Sequence, residues 1–251
     1  MKYQNLLNTT TALLIVGMAL PAAAHDGRRF EVKVVDNRIV AHGYISGAGA
    51  IDDGGGLVRA YYNALHGHFD NITESLALAD LPGFDLDDEA DALIGYDLIW
   101  TATGFHRWAS PTTSGPVELV GMPRDEVIEV KLGEVSVFSD ALESGPTSLT
   151  LLSDFDGDNG LDLDLSYRFR GPNPVGELFV IESVLRTDAP GIADSASVYT
   201  ILSPDGSTPM QKLHHPSLYL ESVLGSAVPE PASGLGLCVL LGLGLGRRRT
   251  N

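Results

Sequence analysis

Short segments in which apolar and polar residues alternate constrain the fold of this chain most. In residues 161–169, LDLDLSYRF, every odd position is apolar or aromatic and every even position is polar. A period of two places one face of a strand on a core and the other face in water. Residues 127–132, VIEVKL, and residues 30–34, FEVKV, have the same pattern. The pattern predicts β-strands in which one face is buried.

Turn-forming residues separate these segments, as at Asp36-Asn37, at residues 53–56 and at Asp205-Gly206. Many short strands with little helical periodicity predict an all-β fold, an antiparallel β-sandwich with a jelly-roll-like or barrel arrangement as the alternative. A helix competes with a strand after Pro216. The predicted strands are 30–35, 38–45, 58–66, 94–100, 117–120, 127–138, 148–152, 161–169, 177–185, 198–202 and 218–223.

The first 24 residues have the pattern of an export signal. Lys2 is followed by nine apolar residues at 12–20, and Ala22 to Ala24 supply the small residues of a cleavage site. Nine residues are too few for a spanning helix, which needs about 20. We expect signal peptidase to remove residues 1–24, so that residues 25–227 form the exported domain.

The last 24 residues, 228–251, have a different composition from the body. Val228-Pro229-Glu230-Pro231 precedes a 15-residue apolar run at 232–246 and then Arg247-Arg248-Arg249. A helix of that length spans about 22 Å, against a hydrocarbon core of about 30 Å. The arginines favour the cytoplasmic side. The pattern predicts a short apolar helix, too short for a permanent anchor, with the body of the chain on the outer side.

This tail resembles a PEP-CTERM sorting signal, in the order and spacing of the Pro-Glu-Pro triplet, the apolar run and the terminal arginines. The residues that carry the resemblance are Val228, Pro229, Glu230, Pro231, Arg247, Arg248 and Arg249. The resemblance implies an exosortase-type processing enzyme as a partner. It also implies transient anchoring in the inner membrane, followed by delivery to the cell surface or the extracellular matrix.

Short blocks of the body resemble a group of PEP-CTERM surface proteins that includes members controlled by a zinc-uptake repressor. The blocks are DLPGF from Asp80, IGYDL from Ile94, TGFHRW from Thr103, GELFV from Gly176 and DAPGIADS from Asp188. The resemblance implies a protein that is made when zinc is scarce. It supplies no activity and no set of ligands.

Charge and motif content exclude several functions. The chain has 16 Lys and Arg against 33 Asp and Glu, a formal net charge of −17, so we expect no nucleic-acid partner. The one cysteine, Cys238, lies in the tail, which leaves the body without thiol chemistry. Motifs for a serine nucleophile elbow, a zinc-protease helix and a phosphate-binding loop are missing from the sequence. We expect a protein that is not an enzyme.

Histidines are the strongest candidate metal ligands. His66 and His68 are two positions apart, so on a strand both imidazoles project from one face. His214 and His215 add two donors that are adjacent in sequence. His25 would become the amino terminus after signal cleavage and could bind an ion through its amine and its ring. These five residues predict a site for a divalent metal, zinc first.

Residues 154–162, DFDGDNGLD, suggest calcium as the alternative metal. Their carboxylates stand at positions 1, 3, 5 and 9 of a calcium-loop pattern. The pattern is incomplete, since Asn159 replaces the turn glycine and Leu165 replaces the closing carboxylate. A hairpin turn that leads into a strand is the competing interpretation. The candidate ligands are Asp154, Asp156, Asp158 and Asp162.

These observations lead to three functional hypotheses. The first is an exported surface or extracellular-matrix protein that binds zinc or another divalent metal without catalysis. The second is a structural or adhesive component of an extracellular polysaccharide matrix, with a calcium-stabilised loop. The third is a carbohydrate-active enzyme, because paired carboxylates on separate strands cannot be related by sequence spacing.

Overall fold

The computed structural model is rich in β-strands and has one α-helix among the residues that it describes. Those residues are 28–45, 51–52, 58–59, 63–69, 72, 76–80, 82–86, 88–109, 112–157, 161–172, 176–204 and 211–225. The strands are β1 (Arg28–Val35), β2 (Arg38–Ile45), β3 (Ile51–Asp52), β4 (Val58–Arg59), β5 (Ala64–Phe69), β6 (Leu76–Ala79), β7 (Gly83–Leu86), β8 (Leu98–Trp108), β9 (Leu119–Gly121), β10 (Val127–Leu132), β11 (Val135–Phe138), β12 (Ser148–Leu152), β13 (Leu161–Leu163), β14 (Ser166–Arg170), β15 (Leu178–Thr187) and β16 (Val198–Pro204). Helix α1 (Gln211–Gly225) follows them, and short 3-10 helices lie at Asp88–Leu93 and Ser139–Ala141. The predicted all-β class is confirmed.

These strands form three larger sheets and a small ladder between β3 and β4. The orders are β13-β7-β1-β2, β11-β10-β14-β6 and β12-β8-β15-β16-β5, with β9 also paired to β8. Most pairs are antiparallel, as predicted, but β1 pairs with β7 and β16 pairs with β5 in parallel. The prediction of a purely antiparallel arrangement is wrong for these two pairs. Their partners are far apart in sequence, so the chain has the length that a parallel crossover needs.

Two turns explain where strands end. Asp36 and Asn37 both have positive φ, 52° and 58°, between β1 and β2. Two such residues form the type I′ turn that suits a tight hairpin, so the turn predicted there is confirmed. Gly133, at φ 58°, lies between β10 and β11. The single strand predicted at 127–138 is therefore a hairpin.

Side chains from all three larger sheets pack into one main core. Phe30 and Phe84 stack with their ring centroids 5.4 Å apart, and Phe169 and Phe179 are 4.6 Å apart. Each of these four rings is fully buried. Burying a phenylalanine side chain stabilises the fold by about 1.5–3 kcal/mol. The predicted alternation is confirmed at 163–169, where the odd-numbered residues are buried and the even-numbered ones are exposed. The single strand predicted at 161–169 is wrong, because β13 and β14 are separate strands that lie in different sheets.

A second apolar cluster lies on the other face of the sheet that contains β15. Phe179 and Ile181 belong to the main core, whereas Leu178 and Val180 pack with Leu220 of α1. Alternate residues of β15 thus face two different cores. Helix α1 covers this face of the sheet, and we call its apolar contacts the helix-side cluster.

Helix α1 replaces the strand predicted at 218–223, which is wrong; the competing helix is confirmed. The helix begins at Gln211, so Pro216 is its sixth residue and lies beyond the first turn. Leu218 and Leu220 are fully buried, and Leu220 packs against apolar residues of the sheet. A helix with one buried stripe satisfies both its backbone and its apolar side chains. Within the part of the chain that the structure describes, no helix has the length and apolar character needed to cross a membrane.

Candidate metal centre

Strand β5 holds His66 and His68 beneath α1. All six of its residues are buried. Leu65 and Phe69 belong to the main core, whereas Ala64 belongs to the helix-side cluster. Because side chains alternate along a strand, His66 and His68 share the face of Ala64. Their spacing therefore directs both imidazoles toward the helix.

Helix α1 supplies a third histidine from its buried stripe. His214, Ser217, Leu218 and Glu221 are spaced by three and four residues, so they lie on one side of the helix. Ser217, Leu218 and Glu221 are fully buried and His214 is half-buried. The Ser217 hydroxyl donates to the His214 carbonyl at 2.7 Å. The stripe faces β5 and β16, against which α1 packs.

The three imidazoles meet between β5 and α1. The ring centroid of His66 is 4.9 Å from that of His68 and 5.2 Å from that of His214, and the His68 and His214 centroids are 5.2 Å apart. One ring nitrogen of each residue lies within 4.8 Å of the other two. We call His66, His68 and His214 the histidine cluster.

A serine on the neighbouring strand orients His68. The register of the parallel β16–β5 pair sets Ser203 beside His68. The Ser203 Oγ is 2.9 Å from His68 Nδ1 and 3.4 Å from the Gly67 carbonyl oxygen. A hydroxyl that donates to the carbonyl accepts from the imidazole. We therefore assign the ring hydrogen to Nδ1, which leaves the lone pair on Nε2 of His68.

A buried carboxylate and a buried guanidinium contact His66. The Glu221 Oε2 is 2.7 Å from His66 Nδ1, and the Arg28 Nη1 is 2.6 Å from the same nitrogen. Nδ1 of a neutral imidazole donates to Glu221 or accepts from Arg28, but not both at once. When Nδ1 donates to Glu221, Nε2 has the lone pair; when Nδ1 accepts from Arg28, Nε2 holds the hydrogen. A metal ion on Nε2 requires the lone pair there and so selects the tautomer in which the Glu221 carboxylate orients the ligand.

The remaining nitrogens of the two strand histidines lie in buried space. Both rings are hydrogen-bonded at Nδ1, while Nε2 of His66 and Nε2 of His68 are shielded from solvent and have no hydrogen-bond partner among the described residues. Zinc binds imidazole nitrogen at about 2.0–2.1 Å, which places tetrahedral ligand nitrogens about 3.4 Å apart. The ring nitrogens of the cluster lie within 4.8 Å of one another, so they would move closer together on binding an ion. The histidine cluster could therefore hold a metal ion.

The structure brings together three of the five histidines that are predicted from the sequence as metal ligands. His215 follows His214 on α1, but its side chain is exposed and lies outside the cluster. Consecutive helical residues point about 100° apart, so both cannot face β5. His25 lies outside the described residues.

The predicted calcium loop has a different character. The side chains of Asp154 and Asp156 are exposed. The Asp154 backbone N–H donates to Asp97 Oδ1 at 3.0 Å, and the Asp97 N–H donates to Asp188 Oδ1 at 2.8 Å. The carboxylates of Asp97 and Asp188 thus accept hydrogen bonds from backbone N–H groups around this turn, where Asp154 has a φ of 50°. Hydrogen bonds of this kind, from backbone N–H groups to aspartate side chains, are typical of turns.

The other two calcium candidates are less fully described. Asp158 lies outside the described residues, as does the side chain of Asp162, whose backbone lies in β13. Among the His, Cys, Asp and Glu side chains that the structure describes, only the histidine cluster forms a group of three or more that could hold an ion. The calcium site stays a prediction.

Three residues around the cluster were missed by sequence reasoning. Glu221, Arg28 and Ser203 are 155, 38 and 135 positions away from the histidines that they contact. Glu221 could have been predicted from the sequence, because it stands seven residues after His214 and so lies on the same side of a helix. Ser203 and Arg28 become neighbours only through strand pairing, which the sequence does not reveal.

A second charged cluster bears on the carbohydrate-active alternative. Arg107 lies 2.9 Å from Glu177 and 3.3 Å from Glu126. Burial raises the pKa of Glu126, and the Arg107 guanidinium opposes that rise. The single positive charge of Arg107 is shared between two carboxylates, and Arg107 joins β8 to the segments before β10 and β15. This arrangement is typical of a structural ion pair network.

The predicted terminal signals lie outside the described residues. These are the export signal at 1–24, the Val228-Pro229-Glu230-Pro231 segment, the apolar run and Arg247-Arg248-Arg249. Comparison with protein-family models, with curated proteins and with solved structures finds no significant match to the chain. The geometry of the histidine cluster is therefore the feature of the chain that bears on function.

Proposed function

We propose that this protein binds one divalent transition-metal ion, zinc first, through His66, His68 and His214. The observation that carries the proposal is the convergence of three ring nitrogens within 4.8 Å, from a strand and a helix that are distant in sequence. Hydrogen bonds at Nδ1 orient the two strand histidines, as the outer partners of metal-binding histidines do. The lack of a motif for nucleophilic catalysis in the sequence supports binding without catalysis.

The donor type selects the class of metal. Imidazole nitrogen suits zinc, copper and nickel, whereas calcium and magnesium take oxygen ligands. Three imidazoles therefore favour a transition metal over calcium. We place zinc first because three imidazoles can fill three of the four positions of its tetrahedral coordination.

We further propose that the metal-binding domain works outside the cytoplasm. The export signal at 1–24 and the PEP-CTERM-like tail at 228–251 support delivery to the cell surface or matrix. Signal peptidase and an exosortase-type enzyme would process the chain, and extracellular polysaccharide is the expected surrounding. A common core shared by three sheets supports a sandwich-like body for this domain.

Metal retention tests the proposal. The full-length chain, purified in mild detergent because of its apolar tail, is loaded with zinc, dialysed and measured by elemental analysis. We expect about one ion per chain for the wild type, since three imidazoles define a single site. His214→Ala should retain almost no zinc, because it removes one of the three ligands. The variant should keep its fold, because His214 is half-buried and its loss leaves no buried charge. His215→Ala is the matched control and should retain zinc like the wild type.

Two results would contradict the proposal. One is a wild-type chain that retains no zinc, copper or nickel near neutral pH. The other is a His215→Ala variant that loses as much metal as His214→Ala, which would mean that the ligand set is not the histidine cluster. Circular dichroism must show that each variant keeps its β-rich fold.

A further inference from the structure

The sheet of β11, β10, β14 and β6 turns one face to the main core and the other face away from it. Val130 of β10 and Phe169 of β14 belong to the core. Because side chains alternate along a strand, their neighbours in sequence lie on the opposite face, which we call the outer face. The strand register sets these neighbours side by side, so that they form one surface. The outer face carries Leu78 of β6, Asp80 directly after it, Glu129 and Lys131 of β10, and Ser166, Arg168 and Arg170 of β14.

Positive charge gathers on the outer face, although the chain as a whole has a formal net charge of −17. Arg168 Nη1 lies 3.8 Å and Arg170 Nη2 lies 3.1 Å from the same atom, Glu129 Oε2. Lys131 adds a third cation. The outer face thus carries three cations and, with Asp80, two carboxylates among its described side chains.

Charge is balanced differently at two other arginines of the described chain. Arg107 has two carboxylate partners, Glu126 and Glu177, and Arg186 has one, Asp194. The two outer-face arginines instead share a single carboxylate, and their side chains are 45% and 54% exposed. A guanidinium has five N–H donors, more than a shared carboxylate can accept. Each outer-face arginine can therefore bind a second anion.

A cavity of about 210 Å³ lies on this face, and we call it the outer-face cavity. Its lining includes Leu78, Asp80, Lys131, Ser166 and Arg168. The Ser166 hydroxyl donates to Asp80 Oδ1 at 3.2 Å, so a hydroxyl and a carboxylate lie beside the cations. Sites for drug-sized ligands measure about 300–1,000 Å³. The smaller outer-face cavity suits one sugar-sized ring.

The lining favours a ligand that has both a negative charge and hydroxyl groups. Arg168 and Lys131 match a carboxylate of the ligand. Asp80 accepts hydrogen bonds from hydroxyl groups, whereas it would repel a second carboxylate placed beside it. Leu78 offers apolar surface to the C–H groups of a sugar ring. An acidic peptide would satisfy the cations but has no hydroxyl groups for Asp80.

We infer that the outer-face cavity binds a uronic acid unit of a carboxylated polysaccharide. The carboxylate of the sugar lies on Arg168 and Lys131, and its hydroxyl groups lie on Asp80 and Ser166. This site is independent of the histidine cluster, because none of its residues belongs to the cluster.

Binding of a short uronate oligomer tests the inference. The full-length chain in mild detergent is titrated with galacturonate tetramer by calorimetry, with EDTA present so that a bound metal ion cannot capture carboxylates. We expect saturable binding that Arg168→Gln weakens about tenfold, because a charge-assisted hydrogen bond is lost. Arg186→Gln is the matched control and should bind like the wild type, since Arg186 is equally exposed, at 49%, on a strand of another sheet.

Four results would overturn the inference. The wild type does not bind the tetramer at millimolar concentration, or Arg186→Gln weakens binding as much as Arg168→Gln does. Maltotetraose, a neutral oligomer of the same length, binds equally well, which would mean that the carboxylates are not recognised. A tetraglutamate peptide binds equally well, which would mean that charge alone is recognised. Failure of zinc retention would overturn the metal proposal and leave this one standing.

Circular dichroism must show that both variants keep the β-rich fold. We expect it to be kept, because Arg168 and Arg186 are exposed and exposed ion pairs contribute about 0–1 kcal/mol to stability. Arg168→Lys, which keeps the charge, should bind the tetramer more tightly than Arg168→Gln does. Equal weakening in these two variants would contradict a carboxylate contact at Arg168.

Discussion

The histidine cluster and the acidic loop at 154–162, both predicted from the sequence as metal sites, differ in how their polar side chains are held. The histidine cluster joins donors from β5 and α1, and its two strand histidines are buried and hydrogen-bonded at Nδ1 to Glu221 and Ser203. The loop at Asp154 exposes its carboxylates, and its hydrogen bonds serve the backbone of a turn. A candidate metal site is distinguished by donor atoms that converge and are held in position. The spacing of ligand-type residues along the chain is a weaker indication.

The largest expected effect is on stability, at the buried pair beside His66. Glu221→Ala removes the carboxylate that lies 2.7 Å from His66 and 3.7 Å from Arg28, and it leaves a buried guanidinium without this counter-charge. Breaking a buried pair by removing one partner costs about 3–5 kcal/mol. Urea unfolding should show this loss in free energy of unfolding, whereas Glu143→Ala, an exposed change, should stay within about 0.5 kcal/mol. Equal effects would mean that Glu221 is not held as described.

Zinc itself should stabilise the fold. An ion that binds only the folded chain raises the free energy of unfolding by about 2.7 kcal/mol at a hundredfold excess over its Kd. Since the ligands join β5 to α1, hydrogen exchange should slow most in α1. Unfolding with and without zinc measures the effect, and His214→Ala should abolish it. A zinc effect of the same size in that variant would place the ion elsewhere.

The outer carboxylate should tune metal affinity. Glu221→Gln replaces an ionic acceptor of the His66 Nδ1 hydrogen by a neutral one. Loss of such a partner weakens metal binding by about 10–100-fold. Zinc titration by calorimetry gives the ratio of Kd values. Glu182→Gln is the matched control, because Glu182 accepts from Ser197 at 2.7 Å and lies outside the cluster. If Glu182→Gln weakens zinc binding as strongly, the effect of Glu221→Gln is not specific to the His66 partner.

The smallest effect is expected at the acidic loop. Asp156 is exposed, so Asp156→Ala should change the free energy of unfolding by less than about 0.5 kcal/mol. Added calcium at millimolar concentration should change it by a similarly small amount. Unfolding of both chains with calcium or with a chelator measures this. A calcium-dependent stabilisation that disappears in Asp156→Ala would make the two regions alike and favour the structural, calcium-stabilised alternative.

Much of the β-structure could be predicted from local pattern. The bounds 38–45 and 148–152 agree with β2 and β12, and the Asp36-Asn37 turn is where it was expected. The four-residue strands β6 and β7 were missed, because LALA and GFDL are too short to display a period. The helix at 211–225 was ambiguous, since Pro216 suggested a helix start five residues too late.

The candidate site was predictable only in part. The spacing of His66 and His68 indicated one face of a strand, and that inference holds because β5 is a regular strand. His214 could not be preferred over His215, because the direction of the helix face is set by packing of Leu218 and Leu220 against the sheet. Ser203 and Arg28 come to the site through parallel pairing and long-range packing, for which the chain has no local signal.

Zinc-edge X-ray absorption on the loaded full-length chain tests the central claim most directly. The account predicts nitrogen and oxygen ligands at about 2.0–2.1 Å, with outer-shell scattering from three imidazole rings that falls to two in His214→Ala. A first shell of oxygen alone, or an imidazole signal that the His214→Ala change leaves intact, would contradict it.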